Sequence, residues 1–84
     1  MARGEKLLER MRANPRGWRI EDVRTLCNGF DLDLDAPRGG SHYGVSDPTQ
    51  DQHMTIPFAR PIKPVYVKKL VRYVDAVRTA REER

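Results

Sequence analysis

Phe30-Asp31-Leu32-Asp33-Leu34-Asp35 alternates strictly between apolar and acidic side chains. A period of two is the signature of a β-strand with one face buried. Phe30, Leu32 and Leu34 then share one side, and Asp31, Asp33 and Asp35 share the other. A lone strand leaves its N–H and C=O groups unpaired, so the rest of the chain must supply partner strands and a cover for the apolar face. Three carboxylates in a row also raise the question of a metal. Side chains on one strand face lie about 7 Å apart, and no His or further acid stands close in sequence to complete a cage. No metal site is expected, and solvation and protection of a sheet edge are the better use of these acids.

The remaining segments fall into place around that strand. Residues 5–13 read as a short amphipathic helix with Leu7, Leu8 and Met11 on one side. Asn14-Pro15 ends it, since Pro disfavours helix at the residue before it. Trp18 is expected to plug the core. Residues 19–28 read as a second helix, with Ile20, Val23, Leu26 and Cys27 on one face and Glu21 and Asp22 in the first turn. Asn28-Gly29 is the expected stop, with Gly29 left-handed. After the strand at 30–35 and a turn at 36–40, residues 43–46 read as a second strand. A polar loop leads to a third at 53–58, where Pro57 marks an edge. Pro64 suits the first position of a helix, along which Val67, Leu70, Val71, Val74 and Val77 form an apolar stripe. Residues 81–84 are expected to fray. The predicted order is α-α-β-β-β-α, an α+β fold with a three-stranded antiparallel sheet packed on helices, in one domain spanning residues 1–84.

Charge is distributed unevenly. Residues 1–19 carry a net +4, residues 20–62 a net −4, and residues 63–84 a net +4. If the two basic ends pack together they form a positive face suited to a polyanion. Cys27 is the single cysteine, which rules out an internal disulfide and a multi-cysteine zinc site. It reads as a small buried hydrophobe. No apolar stretch approaches the roughly 20 residues of a membrane span. The start, Met1-Ala2-Arg3-Gly4-Glu5-Lys6, lacks a signal-peptide core. A cytoplasmic protein with no membrane partner is expected.

Between the first two strands stands Gly39-Gly40-Ser41-His42-Tyr43. Paired glycines permit positive φ or close approach to another molecule. An imidazole both takes and gives a proton near neutral pH. His42 is therefore a candidate reactive group, and a solvated His on a Gly-rich hairpin is the plainer alternative.

The chain resembles the HicA toxins of bacterial type II toxin–antitoxin systems. The likeness runs through Lys6-Leu7-Leu8-Glu9, Asn14-Pro15, Trp18-Arg19, Asp22-Val23 and Gly29-Phe30. It continues through Gly40-Ser41-His42-Tyr43, Thr55-Ile56-Pro57 and Pro61-Ile62-Lys63-Pro64-Val65-Tyr66-Val67. The resemblance implies a fold like the double-stranded RNA-binding domain. It implies an endoribonuclease that cleaves mRNA without a metal or other cofactor and halts translation, and a HicB-like antitoxin that covers the active site. The family's catalytic His matches His42. Many relatives carry a basic residue where Gly44 stands, and some have a second His where Phe58-Ala59-Arg60 follow Pro57.

Under that reading His42 is the general base, or acid and base in turn, toward the ribose 2′-OH. Ser41 and the N–H groups of Gly39 and Gly40 are candidates for a phosphate oxygen. Lys63, Lys68, Lys69 and Arg72 are candidates to hold the RNA backbone, with Lys6, Arg10 and Arg12 from the first helix. Tyr43 falls on the sheet face opposite His42, which favours core packing. His53 is a candidate second acid or base if the second and third strands pair. The ribonuclease reading requires the His42 ring to lie outside the apolar interior and on the side of the basic helices. A non-catalytic RNA-binding module of the same fold uses the same basic face and needs no His.

Overall fold

A computed structural model of the chain describes residues 4–83. It contains α1 (Gly4–Ala13), α2 (Ile20–Phe30), β1 (Asp33–Asp35), β2 (His42–Ser46), β3 (Met54–Pro57) and α3 (Pro64–Glu82). The expected order and class hold: three helices and one antiparallel sheet with strand order β1-β2-β3. None of the described helices is long and apolar enough to cross a membrane.

The end of α2 departs from expectation. Gly29 continues the helix, Phe30 is its last residue, and Asp31 takes the left-handed conformation at φ 57°. Leu32 N–H then donates to the Cys27 carbonyl at 2.8 Å. Apolar burial is the reason. Gly within a helix costs about 1 kcal/mol relative to Ala, whereas burying a Phe is worth about 1.5–3 kcal/mol. Phe30 is 6% exposed, and α1 closes over its ring at Gly4, where even a Cβ would collide with the ring carbons. The helix is prolonged to put Phe30 there. Asp tolerates the left-handed region better than most residues. Of the six alternating residues only Asp33–Asp35 form a strand, so the three acids do not share one strand face.

Register fixes the two faces of the sheet. Leu34 pairs with Val45, Tyr43 with Ile56, and Val45 with Met54. These residues face inward, and Val45 and Ile56 are completely buried with Leu8, Leu26, Leu70 and Val74 from the helices. Asp33, Asp35, His42, Gly44 and Thr55 occupy the alternate, outward positions. β3 is an edge, as Pro57 requires. Trp18 packs against the core from its margin, and its indole N–H donates to the Asn14 carbonyl at 2.6 Å. Cys27 is fully buried, and desolvation pushes its thiol up to about 11.

The C-terminal turn of α3 is anchored rather than frayed through Glu82; Arg84 lies outside the described residues. Arg81 donates to the carbonyls of Phe30 and Asp31 and to the Asp47 carboxylate at 2.6 Å. Asp47 is only 5% exposed and also accepts from the Thr49 hydroxyl and N–H. Burial alone would raise its pKa, but the hydrogen bonds from Thr49 and Arg81 outweigh that and hold it below the ordinary carboxylate value. A lowered native pKa stabilises the fold fully above the unfolded value of about 3.9, and that stability is lost as pH falls through the native value. Thermal melting followed from about pH 5 to about pH 2 should therefore show a falling midpoint. Asp47→Asn should start lower and fall less steeply. An identical slope in both proteins would dismiss this role for Asp47.

Candidate active site

His42 opens β2, directly after the connection that contains Gly39 and Gly40. Gly39 has φ +77°, so the bend uses the left-handed freedom that a side chain would penalise. Gly40 has an ordinary φ, and a Cβ there would meet nothing within 4 Å. Gly39, Gly40, Ser41 and His42 are all exposed. The Ser41 carbonyl accepts from Phe58 N–H at 2.6 Å, which extends the β2–β3 ladder one pair beyond His42 and Pro57. Tyr43 is half-buried against the core, on the opposite face from His42 as expected.

The first condition on His42 is met and the second is not. Its side chain lies in solvent, outside the apolar interior. Strand alternation, however, turns it to the outer sheet face, away from the face on which the helices pack. Its neighbours on that face are Gly44, two positions along β2, and Pro57, directly across on β3. Neither moves a proton. Gly44 also leaves open space beside the imidazole, since a Cβ there would touch only the Asp35 Cβ at 3.9 Å.

The basic residues divide between two places. Lys68 and Arg72 line a groove of about 360 Å³ between α1 and α3, with Met11, Arg12 and Val71. Arg12 is already committed there: both of its terminal nitrogens bond the Asp75 carboxylate at 2.8 Å. That pairing, with the opposing cost of burial, leaves the Asp75 carboxyl below its ordinary value. Arg10 stacks on Trp18 at 5.3 Å. The single positive face expected to hold RNA across His42 is therefore not formed, because the helices carry Lys68 and Arg72 on the far side of the sheet. Lys63 precedes α3 and is exposed. Lys69 lies over the Tyr66 ring at 5.5 Å.

His53 is exposed just before β3. It lies four residues from Pro57, the partner of His42, or about 13 Å along the strand at 3.3 Å per residue. The two imidazoles stand at opposite ends of the hairpin and do not share proton transfer.

Arg60 is the residue that sequence reading passed over. Its guanidinium lies 5.6 Å from the Phe58 ring centroid, at the His42 end of the sheet. The Phe58-Ala59-Arg60 run was the available signal: an aromatic and a cation two apart, directly after a strand. Asp33 and Asp35 place negative charge on the β1 side of the outer face. From residue 52 to residue 74 the chain has five Arg or Lys and no Asp or Glu. Of these, Lys68 and Arg72 line the groove on the far side of the sheet, which leaves Arg60 as the cation at the His42 end. No family model, curated protein or solved structure matches the chain.

Proposed function

We propose that the chain is a HicA-like toxin: an endoribonuclease that cleaves mRNA without a metal, restrained by a HicB-like antitoxin. The observation that carries this reading is an exposed imidazole at a glycine bend, with Arg60 at the same end of the sheet; its turn away from the helical cations counts against it. The residues quoted from Lys6 to Val67 supply the family resemblance.

RNA brings its own nucleophile. His42 takes the proton from a ribose 2′-OH, and that oxygen attacks the adjacent phosphorus. The P–O5′ bond breaks, leaving a 2′,3′-cyclic phosphate on one fragment. The departing 5′ oxygen receives a proton from the imidazolium or from water. Gly44 and Pro57 offer no second acid, so one ring serves both halves of the reaction. Ser41 and the N–H groups of Gly39 and Gly40 stand where a phosphate oxygen approaches His42. Arg60, rather than Lys68 and Arg72, supplies positive charge at the His42 end of the sheet. Lys68, Lys69 and Arg72 remain available to flanking RNA that wraps the molecule.

A second reading is an RNA-binding module without catalysis. The separation of His42 from the groove cations and the lack of a neighbouring proton donor favour it. Incubating the purified protein with end-labelled RNA in EDTA separates the two. The ribonuclease shortens the RNA. The binder retards it in a gel and leaves its length unchanged.

A further inference from the structure

Phe58 is 43% exposed, although burying such a ring is worth about 1.5–3 kcal/mol. The ring is not loose. Its backbone N–H is tied to the Ser41 carbonyl, and its ring lies 6.2 Å between centroids from the half-buried Tyr43 ring, tilted by 41°. Arg60 covers it from outside at 5.6 Å. Tyr43, Phe58 and Arg60 thus form a graded cluster, from core to solvent, that ends in a planar cation.

We infer that Phe58 is a stacking platform for one base of a single-stranded RNA, with Arg60 gripping the adjoining phosphate. This rests on the reading of the hairpin end as an RNA site, and it names the substrate as single-stranded. A flat base replaces the guanidinium on the ring, or stacks on the guanidinium plane itself, because both surfaces accept any base by its π-face. The freed Arg60 then meets the backbone charge. Phe58 follows Pro57, the cross-strand partner of His42, but its ring meets Tyr43 on the opposite sheet face, so an RNA strand that uses both must pass round the end of the sheet. Paired bases inside a duplex expose no face to a side chain, so a duplex gains nothing from this ring. A docking protein is the competing occupant for an exposed Phe. Arg60, already lying over the ring, favours a polyanion instead.

The test uses His42→Ala protein, so that RNA survives, and fluorescence anisotropy with a labelled single-stranded oligonucleotide and its duplex. Phe58→Leu in that background keeps an apolar side chain at an exposed position and should weaken single-strand binding roughly ten-fold, the ordinary size for one lost stack. Phe58→Trp should restore it. Duplex binding should change less than about two-fold. Equal single-strand affinity with and without the Phe58→Leu substitution, with melting unchanged, overturns the inference. Cleavage by the protein with His42 intact is measured alongside. Cleavage together with Phe58-independent binding overturns stacking and leaves the ribonuclease reading standing. Intact RNA together with Phe58-dependent binding does the reverse.

Discussion

Arg81→Ala is expected to lower the melting temperature by about 10–20 °C. Three acceptors converge on that guanidinium: the Phe30 and Asp31 carbonyls and the Asp47 carboxylate. Two of them close the exposed end of α2, where helix carbonyls lack partners. The third is a carboxylate that is almost fully buried. Removing one partner of a buried pair commonly costs about 3–5 kcal/mol, because the other charge is left unpaired. Arg81 is itself one-third exposed, so water relieves part of that, and about 2–3 kcal/mol is the better figure. For a domain of this size each kcal/mol moves the midpoint by about 4–8 °C. Arg81→Lys keeps the charge but cannot reach three acceptors, so it should fall between the two. The exposed Arg12–Asp75 pair is the comparison, with Arg12→Ala costing about 1 kcal/mol or less. A thermal melt of all four proteins decides it. A shift under about 2 °C for Arg81→Ala would remove the anchor from the account.

His42→Ala should reduce RNA cleavage by about 10²- to 10⁴-fold, the ordinary worth of positioned proton transfer. Stability should barely change, since substitutions of exposed residues away from caps and networks stay within about 0.5 kcal/mol. RNA binding should persist, because the ring carries the chemistry and the cations carry the affinity. His53→Ala should retain most of the activity, as about 13 Å of strand separates that residue from the hairpin bend. Rates from single-turnover cleavage in EDTA, set beside affinities for the same oligonucleotide, make the comparison. Equal loss from both substitutions would restore a two-histidine mechanism, and an unimpaired His42→Ala would end the assignment.

Most of the fold was legible because periodicity reports burial. The stripe on α3 and the placing of Tyr43 opposite His42 on β2 each gave the right face, and Pro57 and Pro64 gave the right edges. The alternating run at 30–35 misled at its start. Phe30 fits a strand and a helix face equally well, and only the distant contact with Gly4 decides between them. Arg81 looked like fraying tail for a similar reason: its partners lie 34 and more residues away, and no local pattern encodes such a meeting. The candidate site was legible in part. Gly39, Ser41 and His42 gather where the hairpin was expected to put them. Lys68 and Arg72 do not join them, since a run of charge along a helix says nothing about which side of a sheet the helix covers. Arg60 went unnoticed because its use depends on a ring two residues earlier, and a single cation after a strand looks like any other surface charge.

The chemistry of the cut ends tests the central claim most directly. Purified protein is incubated with a labelled RNA in EDTA, and the fragments are analysed by mass spectrometry, with a matching RNA carrying 2′-deoxyribose at the cleaved position. An imidazole acting on the ribose hydroxyl predicts 2′,3′-cyclic phosphate and 5′-hydroxyl ends, and a deoxy-substituted position that resists cutting. Fragments ending in 3′-hydroxyl, or equal cleavage at the deoxy position, would contradict it.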